Sequence, residues 1–380
     1  MSSKKSSILE EHSLAKIQLY QKYFSVYLNI ISRVSFIDKI HLYDLFAGEG
    51  VYENGEKGSP LVAIECIKNH YVANKKQCPN LEVHFNDFGK SEISPNLSKI
   101  QRVQEFVAKE FVPNNVKINY HEISYSTIIS NVIVSLNNLK QSERALLFID
   151  PWGYKEIKPI DLKNLMQNGK TEIILFLPIY HMYRFAQKSL TATDFPGGKP
   201  LEKFLTELYG GQMPDVATSR KFITSLSNKF LEFLQIKYSD TFTIEREKGN
   251  FFCLFFFTNN KKGYQKMLET KWLLDEERGD GFRIIESPGQ VGLFDMMEVD
   301  NYQDQVRSYL KSGKVTNHDL FDFGLTNRHL PKHTNMILKS MDKEGVIEVI
   351  PLDGLEARGY YIGDVRRTIL IKPKDGTVKN

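Results

Sequence analysis

The sequence has few cysteines and no strong excess of charge of one sign. Its three cysteines, Cys66, Cys78 and Cys253, lie far apart without a Cys-x-x-Cys pair, which argues against a disulfide framework and leaves too few thiolates for a cysteine-based zinc site. Lysine and arginine number 50 against 46 acidic residues, a formal charge of +4. Bulk charge therefore cannot supply nucleic-acid affinity, and any such contact must come from a local patch.

Long apolar segments are also lacking. The most apolar run, residues 251–257, spans seven residues, whereas a membrane helix needs about 20. We predict a buried strand there. The polar first residues are not followed by an apolar segment with a cleavage site. We therefore expect a soluble, cytoplasmic protein without a membrane segment.

Aromatic residues are plentiful, with 25 Phe and 18 Tyr, which excludes disorder over most of the length. The 380 residues predict two or three domains at about 100–200 residues each. Strands predicted within 39–50, 81–85, 116–120, 145–150 and 172–180 alternate with helices. This alternation is typical of a parallel sheet with right-handed crossovers.

A hairpin of residues 241–247 and 251–258 closes this sheet, and the combination predicts an α/β, Rossmann-like class I methyltransferase fold. After residue 295, two helices, a longer helix and a two-stranded ribbon predict a winged-helix-like module. The domain prediction comprises three parts, the second of which contains an insertion. They are an N-terminal helix packing on the core (1–38), a methyltransferase-like domain (39–295) with a helical insertion at about 185–240, and the winged-helix-like module (300–380).

The strongest motif is a glycine loop, Asp44-Leu-Phe46-Ala-Gly48-Glu-Gly50, at the carboxyl end of the first strand. Ligands of open parallel sheets bind at this edge, and glycines let the backbone approach them closely. Position 53 is Glu, so the third glycine of G-x-G-x-x-G is missing. This favours a ligand without phosphates, such as S-adenosylmethionine, over NAD; the alternative is a structural tight turn.

Three further residues are candidates for the same ligand. Asp87, just past the second strand, is placed to hydrogen-bond both ribose hydroxyls, although a helix cap or surface acid fits nearly as well. Glu122 follows the third strand, near the expected adenine edge, where a structural role is favoured. Ser59 precedes Pro60 and is predicted to be a helix N-cap. The predicted cofactor-binding residues are Asp44, Phe46, Gly48, Gly50, Ser59, Asp87 and Glu122.

The candidate catalytic segment is Asp150-Pro151-Trp152-Gly153-Tyr154, which ends the fourth strand beside the first. Amino-methyltransferases of nucleic-acid bases carry a D/N-P-P-aromatic sequence there. A carboxylate with a backbone carbonyl can hold the hydrogens of an exocyclic amine, and an aromatic ring can stack on the base. We assign Asp150 to the amine, Pro151 to the turn, and Trp152 or Tyr154 to stacking; the alternative is a proline-bounded turn with a packed indole.

Two groups of basic residues complete the candidates. His12 and Lys16 share a face of the first helix, as part of a lid or, more simply, of a solvated surface. Around the last long helix, acids are sparse, and we predict a nucleic-acid patch there, although winged helices also bind proteins. The predicted nucleic-acid residues are Arg328, Lys332 and Lys339. We predict no metal site.

Together the motifs resemble the three-Cys-motif partner proteins, a bacterial family abbreviated TcmP. The resemblance covers roughly residues 10–275 and is carried by 43–50, 58–61, 148–153, 171–173 and 251–258, with Arg184, Gly263, Met267 and Trp272. The resemblance implies a class I methyltransferase-like fold and a partner protein bearing a three-cysteine motif. It implies no particular substrate.

The glycine loop is also similar to that of an adenine-N6 ribosomal RNA methyltransferase family, whose last motif is a full D-P-P-aromatic. Trp152 and Gly153 depart from that motif, and Glu49 departs from the usual proline or small residue. From the glycine loop and the Asp150 segment on adjacent strand ends, we expect an S-adenosylmethionine-dependent methyltransferase of a base amine in RNA or DNA. The alternatives are a catalytically weak or inactive partner protein and a transcriptional regulator.

Overall fold

The computed structural model describes residues 9, 11–74, 78–151, 153–189, 199–212, 214–246, 250–275, 279, 281–283, 301–364 and 366–374. Two compact units divide the chain, residues 1–294 and residues 295–380. Among the described helices, none is long and apolar enough to cross a membrane. Trp152 and the side chain of His12 lie outside the described residues.

The first unit is built on an eight-stranded sheet. Its strands are β1 (Lys39–Asp44), β2 (Asn80–Asn86), β3 (Val116–His121), β4 (Glu143–Ile149), β5 (Thr171–Leu177), β6 (Tyr238–Arg246), β7 (Asn250–Thr258) and β8 (Gly281–Arg283). The strand order is β3-β2-β1-β4-β5-β7-β6-β8. The first five strands are parallel, and β7 runs antiparallel to β5 and β6. This is the class I methyltransferase arrangement, so the fold predicted from the sequence is confirmed; β8, parallel to β6, was not predicted.

Helices cover both faces of the sheet. They are α1 (Glu11–Ile31), α2 (Ser59–Ala73), α3 (Lys99–Val107), α4 (Tyr125–Asn137), α5 (Pro159–Met166), α6 (Ile179–Ser189), α7 (Lys199–Tyr209), α8 (Ser219–Leu234) and α9 (Lys261–Leu274). Side chains alternate along each strand, so Leu146 and Phe148 pack with α1–α3 and α9, whereas Leu147 and Ile149 pack with α4–α8.

Helix α1 is held against the sheet by aromatic side chains. Tyr20 and Phe24 are fully buried, and the Tyr20 ring stacks on Phe148 with ring centroids 4.4 Å apart. Three- and four-residue spacing places these rings on one helix face. This packing fixes the direction in which the other residues of that face, including Lys16, project.

The start of α2 differs from the sequence prediction. Gly58, with extended backbone, is the N-cap, and Ser59 is the first helical residue, so the assignment of Ser59 as N-cap is wrong. Capping rules consider only the free amides of the helix. Here the buried Ser59 hydroxyl lies beside Asp44 instead.

The second unit contains α10 (Tyr302–Lys311), β9 (Val315–Thr316), α11 (Asn317–Thr326), α12 (Pro331–Lys343), β10 (Ile347–Pro351) and β11 (Ile369–Pro373). Its sheet has the order β10-β11-β9 and is antiparallel. Apolar side chains such as Leu310, Leu338 and Ile371 are fully buried and form its core. Three helices with a strand ribbon confirm the predicted winged helix.

Candidate active site

Three acids meet at the carboxyl edge of the sheet. Asp44 ends β1, and its register partners are Phe85 in β2 and Phe148 in β4. Asp87 and Asp150 each lie two residues beyond those partners. Because adjacent parallel strands end at one edge, residues predicted from three separate loops lie together at the position where such sheets bind ligands.

Asp44 is fully buried, and neither of its carboxylate oxygens has a hydrogen-bond partner among the residues that the structure describes. Burial raises the pKa of Asp44 to about 7. The Ser59 hydroxyl and the Phe46 amide lie near enough to lower that pKa in part, without hydrogen bonds of normal geometry. Buried polar groups are almost always paired, so the unpaired carboxyl marks a place where a ligand or water can donate.

The glycine loop follows directly. Gly48 and Gly50 have φ angles of +65° and +77°, in the left-handed region. A Cβ atom at Gly48 would lie 3.2 Å from the Tyr52 hydroxyl, and one at Gly50 would lie 3.1 Å from Val103. Neither position therefore tolerates a side chain without strain. At these two glycines, the backbone beside the three acids carries no side chain.

Asp87 fastens this loop. Its Oδ2 accepts a hydrogen bond of 2.9 Å from the Gly48 amide, and the Lys99 ammonium lies 3.6 Å from its Oδ1. Burial raises the pKa of Asp87, and Lys99 opposes that effect. The next residue, Phe88, is 71% exposed. This exposed ring beside Asp87 was not predicted from the sequence.

Glu49, noted as a departure from related glycine loops, braces the loop from the other side. Its carboxylate accepts hydrogen bonds from Arg102 at 2.8 Å, from the Ser91 hydroxyl at 2.7 Å and from the Glu92 amide at 2.8 Å. The buried pair is fully hydrogen-bonded, the condition under which such a pair is tolerated. Glu49 thus has a structural role that a proline could not perform.

The other predicted cofactor residues differ in their surroundings. Phe46 is half-buried and stacks on Tyr125, with ring centroids 5.1 Å apart. Glu122 is exposed just past β3. Ser124 is the N-cap of α4. Phe46 therefore borders the site, whereas Glu122 lies at the solvent-exposed part of the same edge.

Asp150 forms an ion pair that was not predicted. Lys16 of α1 donates to its Oδ2 at 2.7 Å, and the Lys16 ammonium also lies 3.9 Å from the centre of the Phe176 ring. Lys16 is buried, so the interpretation of Lys16 as part of a solvated face is wrong. The helix packing turns this side chain inward. A carboxylate has about four lone-pair positions, so Asp150 can still accept other hydrogen bonds.

The residues after Asp150 are arranged in a turn. Pro151 is buried, and Tyr154 begins a short 3₁₀ turn, Tyr154–Glu156. The half-buried Tyr154 ring packs against the hydrophobic core on the α4–α8 side of the sheet. Part of the ring is therefore engaged in packing.

Two tyrosines lie close to the acids. The Tyr20 hydroxyl is buried and has no hydrogen-bond partner among the described residues. Burial raises the pKa of Tyr20, and the nearby charge of Asp44 makes a smaller contribution in the same direction. Burial also raises the pKa of Tyr52, with further contributions led by Asp150. Neither tyrosine was predicted; the closeness of Tyr52 to the glycine loop in the chain was the available signal.

The basic residues of the winged helix follow one face of α12. Lys332, Met336, Lys339 and Lys343 are exposed at successive spacings of four, three and four residues, which places them on the same face. Met336 is 71% exposed. Arg328 is half-buried in the turn before α12, with a left-handed φ of +63°. Lys332 and Lys339 therefore share one face of α12, and Arg328 lies in the turn that precedes this helix.

Comparisons with known proteins agree with the second unit. A family model described as a GMT-like wHTH domain matches residues 282–354. Among curated proteins, none matches this chain.

Several solved structures are similar to the chain. A Legionella pneumophila protein of the family DUF519 is 13% identical, with a TM-score of 0.38, over 69% of this chain and 91% of its own. SCL7 of Oryza sativa is 11% identical (TM-score 0.30; 66% and 84%), and a loganic acid methyltransferase solved with SAH is 10% identical (TM-score 0.25; 67% and 98%). The fold assignment follows from the strand order.

Proposed function

We propose that the chain is an S-adenosylmethionine-dependent methyltransferase of an exocyclic amine in an RNA or DNA base. The observation that carries this proposal is the convergence of Asp44, Asp87 and Asp150 on a bare glycine loop. It is supported by the unpaired carboxyl of Asp44. The methyltransferase-like fold provides the frame, and the cofactor and substrate are inferred from these residues.

The residues at this edge fit the proposed cofactor. The Asp44 carboxylate lacks a hydrogen-bond donor among the described residues, and the ammonium group of the cofactor could supply one. The backbone of Gly48 and Gly50 leaves space for the ligand that a Cβ atom would fill. Asp87 would hold the ribose, and the exposed Phe88 ring would stack on the adenine. The carboxylates of Asp44 and Asp87 also favour a positively charged sulfonium. The bound cofactor supplies an activated methyl group.

Asp150 is assigned to the target amine. Its carboxylate would accept a hydrogen bond from the amine, so that electron density stays on the nitrogen as the methyl–sulfur bond breaks and the nitrogen–methyl bond forms. The amine then loses one proton to solvent. Pro151 holds the turn, and Trp152 or Tyr154 would stack on the base. During this reaction, the Lys16 ammonium would either keep its hydrogen bond to Asp150 Oδ2 beside the amine or release that oxygen.

The ion pair between Lys16 and Asp150 also favours a second candidate function. If Asp150 only anchors α1, the chain is a catalytically inactive protein that retains the fold and presents nucleic acid to a partner with a three-cysteine motif. In both cases the α12 face with Lys332 and Lys339 would contact nucleic acid by charge. Arg328, in the turn before α12, would add to this contact.

Calorimetry with the purified full chain tests cofactor binding first. We expect micromolar affinity for S-adenosylmethionine, and Asp44→Asn should weaken it by about 10- to 100-fold because a charged hydrogen bond is lost. Glu172→Gln, a buried carboxyl variant far from this edge, is the matched control and should leave affinity unchanged. Absence of binding at millimolar cofactor would reject the proposal.

Transfer of a labelled methyl group to RNA and DNA then separates the two candidate functions. Incorporation without a partner favours the enzyme. Nucleic-acid binding with cofactor bound but no incorporation favours the inactive protein.

A further inference from the structure

A second cluster of ionisable side chains lies nearer the amino ends of β1 and β2. His41 and Glu82 are register partners on these strands, and His84 follows Glu82 by two residues. All three side chains therefore project from the same face of the sheet. One possible ligand atom from each lies within 4.8 Å of the others. This cluster is separate from the acids at the carboxyl edge.

His41 is the unexplained member. It is 6% exposed, and in the described part of the chain neither ring nitrogen has a hydrogen-bond partner. Nδ1 lies 3.9 Å from Glu82 Oε2, and Nε2 lies 3.9 Å from Glu143 Oε2. Both distances are too long for hydrogen bonds. An ion between the ring and Glu82 would supply the partner that buried polar atoms ordinarily have.

His84 is oriented towards the same point. Its Nδ1 lies 3.1 Å from Nε2 of His121, while its own Nε2 lies 3.9 Å from Glu82 Oε1. With Nδ1 donating to His121, Nε2 presents a lone pair to Glu82, as in metal sites whose histidines have an outer hydrogen-bond partner.

We propose that His41 Nδ1, His84 Nε2 and the Glu82 carboxylate bind one divalent ion of the zinc class. Two imidazoles and a carboxylate suit Zn²⁺ or Co²⁺ and not Mg²⁺, which takes oxygen ligands. In a tetrahedral site with Zn–N distances of about 2.0–2.1 Å, ligand atoms lie about 3.3 Å apart. Small side-chain rotations close the distances of 3.9 Å to this value.

Glu82 also accepts hydrogen bonds from Lys39 at Oε2 and from Lys117 and Asn119 at Oε1. The two lysine side chains are 32% and 71% exposed, so their ammonium groups can turn to solvent and release a carboxylate oxygen. A cavity of about 250 Å³, lined partly by Lys39, Glu82 and Lys117, opens beside the cluster and gives an ion a way in. The three ligands come from two strands without motif spacing, which is why the sequence predicted no metal site.

Metal titration of the chelator-treated full chain, without a histidine tag, tests this site. We expect one zinc ion per chain at micromolar affinity or better, and visible absorption of bound Co²⁺ with the intensity of tetrahedral coordination. His41→Ala and His84→Ala should each weaken binding by more than about 100-fold, since loss of even an outer partner costs 10–100-fold. Glu82→Gln, which retains an acceptor for the lysines, should also weaken it.

The matched control is His181→Ala, which removes an exposed imidazole on α6 and should leave zinc affinity unchanged. Circular dichroism establishes that each variant is folded. The wild-type titration is independent of variant stability. Absence of saturable zinc binding by the wild type, or equal binding by folded His84→Ala, would overturn the proposal. Mg²⁺ should not compete, and strong competition would also contradict it.

Discussion

Two buried carboxyl groups of the same sheet, Asp44 and Glu172, have opposite surroundings. Burial raises the pKa of each to about 7. Glu172 lies near the start of β5 and accepts hydrogen bonds from the hydroxyls of Tyr23 and Thr258. Asp44 ends β1 at the carboxyl edge, and no described residue is a hydrogen-bond partner of its carboxylate oxygens. Both carboxyl groups are therefore buried. Within the described residues, hydrogen bonds offset the cost of burial for Glu172 but not for Asp44.

Under the proposed function, this difference separates a structural group, Glu172, from a cofactor-binding one, Asp44. The fold supplies the partners of Glu172 from α1 and β7, so that its burial is offset by two hydrogen bonds. At the carboxyl edge of the sheet, no described residue gives the Asp44 carboxyl a hydrogen bond, which destabilises the protein until a donor binds. Local violations of satisfied burial are expected at functional sites.

The largest effect that this comparison predicts is on methyl transfer. Asp150→Ala should lower the rate by about 100- to 10,000-fold, the range of positioned proton-handling groups, with cofactor affinity changed less than about twofold because the acid faces the amine. Rates measured with labelled cofactor and the preferred nucleic acid check this.

Two variants are its controls. Glu156→Ala, an exposed acid on the following turn, and Glu172→Gln should retain the wild-type rate. An unchanged rate in Asp150→Ala would remove Asp150 from the mechanism and make its pairing with Lys16 purely structural.

The next effect concerns stability against pH. For Asp44 and Glu172 the folded pKa of about 7 lies above the ordinary values of 3.8 and 4.5. Between about pH 4 and pH 7 the folded state binds more protons than the unfolded state, so the free energy of unfolding falls as pH rises. Asp44→Asn should remove at most about 4 kcal/mol of this fall, at 1.36 kcal/mol per pKa unit.

Urea unfolding at pH 5 and pH 8 measures both variants. Asp44→Asn should be more stable than wild type at pH 8, because a neutral amide replaces an unpaired carboxylate. Glu172→Gln should flatten the pH dependence without that gain, because its amide group replaces one of two acceptor oxygens. If Asp44→Asn is the less stable protein at pH 8, the contrast between the two carboxyls is wrong.

Much of the fold, and part of the site, could be predicted because the signals are local. Apolar runs alternate with amphipathic helices along the chain, and the acid, aromatic ring and glycines of 44–50 are neighbours in sequence. The parallel topology then brings Asp87 and Asp150 to the same edge. These predictions need only the order of strands and the rule that parallel strands end together.

The remaining contacts depend on packing between distant segments. Lys16 meets Asp150 across 134 positions, and Arg102 meets Glu49 across 53. Neither pair has a spacing pattern. Ser59 carried a valid capping signal, yet its hydroxyl lies by Asp44. Phe88 is an isolated exposed ring, which no periodicity reveals.

The smallest predicted effect concerns that ring. Phe88→Ala should weaken S-adenosylmethionine binding by about tenfold, since stacking of a base on an aromatic ring contributes about 1–3 kcal/mol. Phe111→Ala is the matched control, because Phe111 is also exposed, at 53%, but packs near Tyr71. Calorimetry at constant pH compares the two. If the two variants bind S-adenosylmethionine with equal affinity, the adenine binds at another surface. The exposed Phe88 ring is then no part of the site, and the unpaired carboxyl of Asp44 is its only distinguishing feature in the contrast with Glu172.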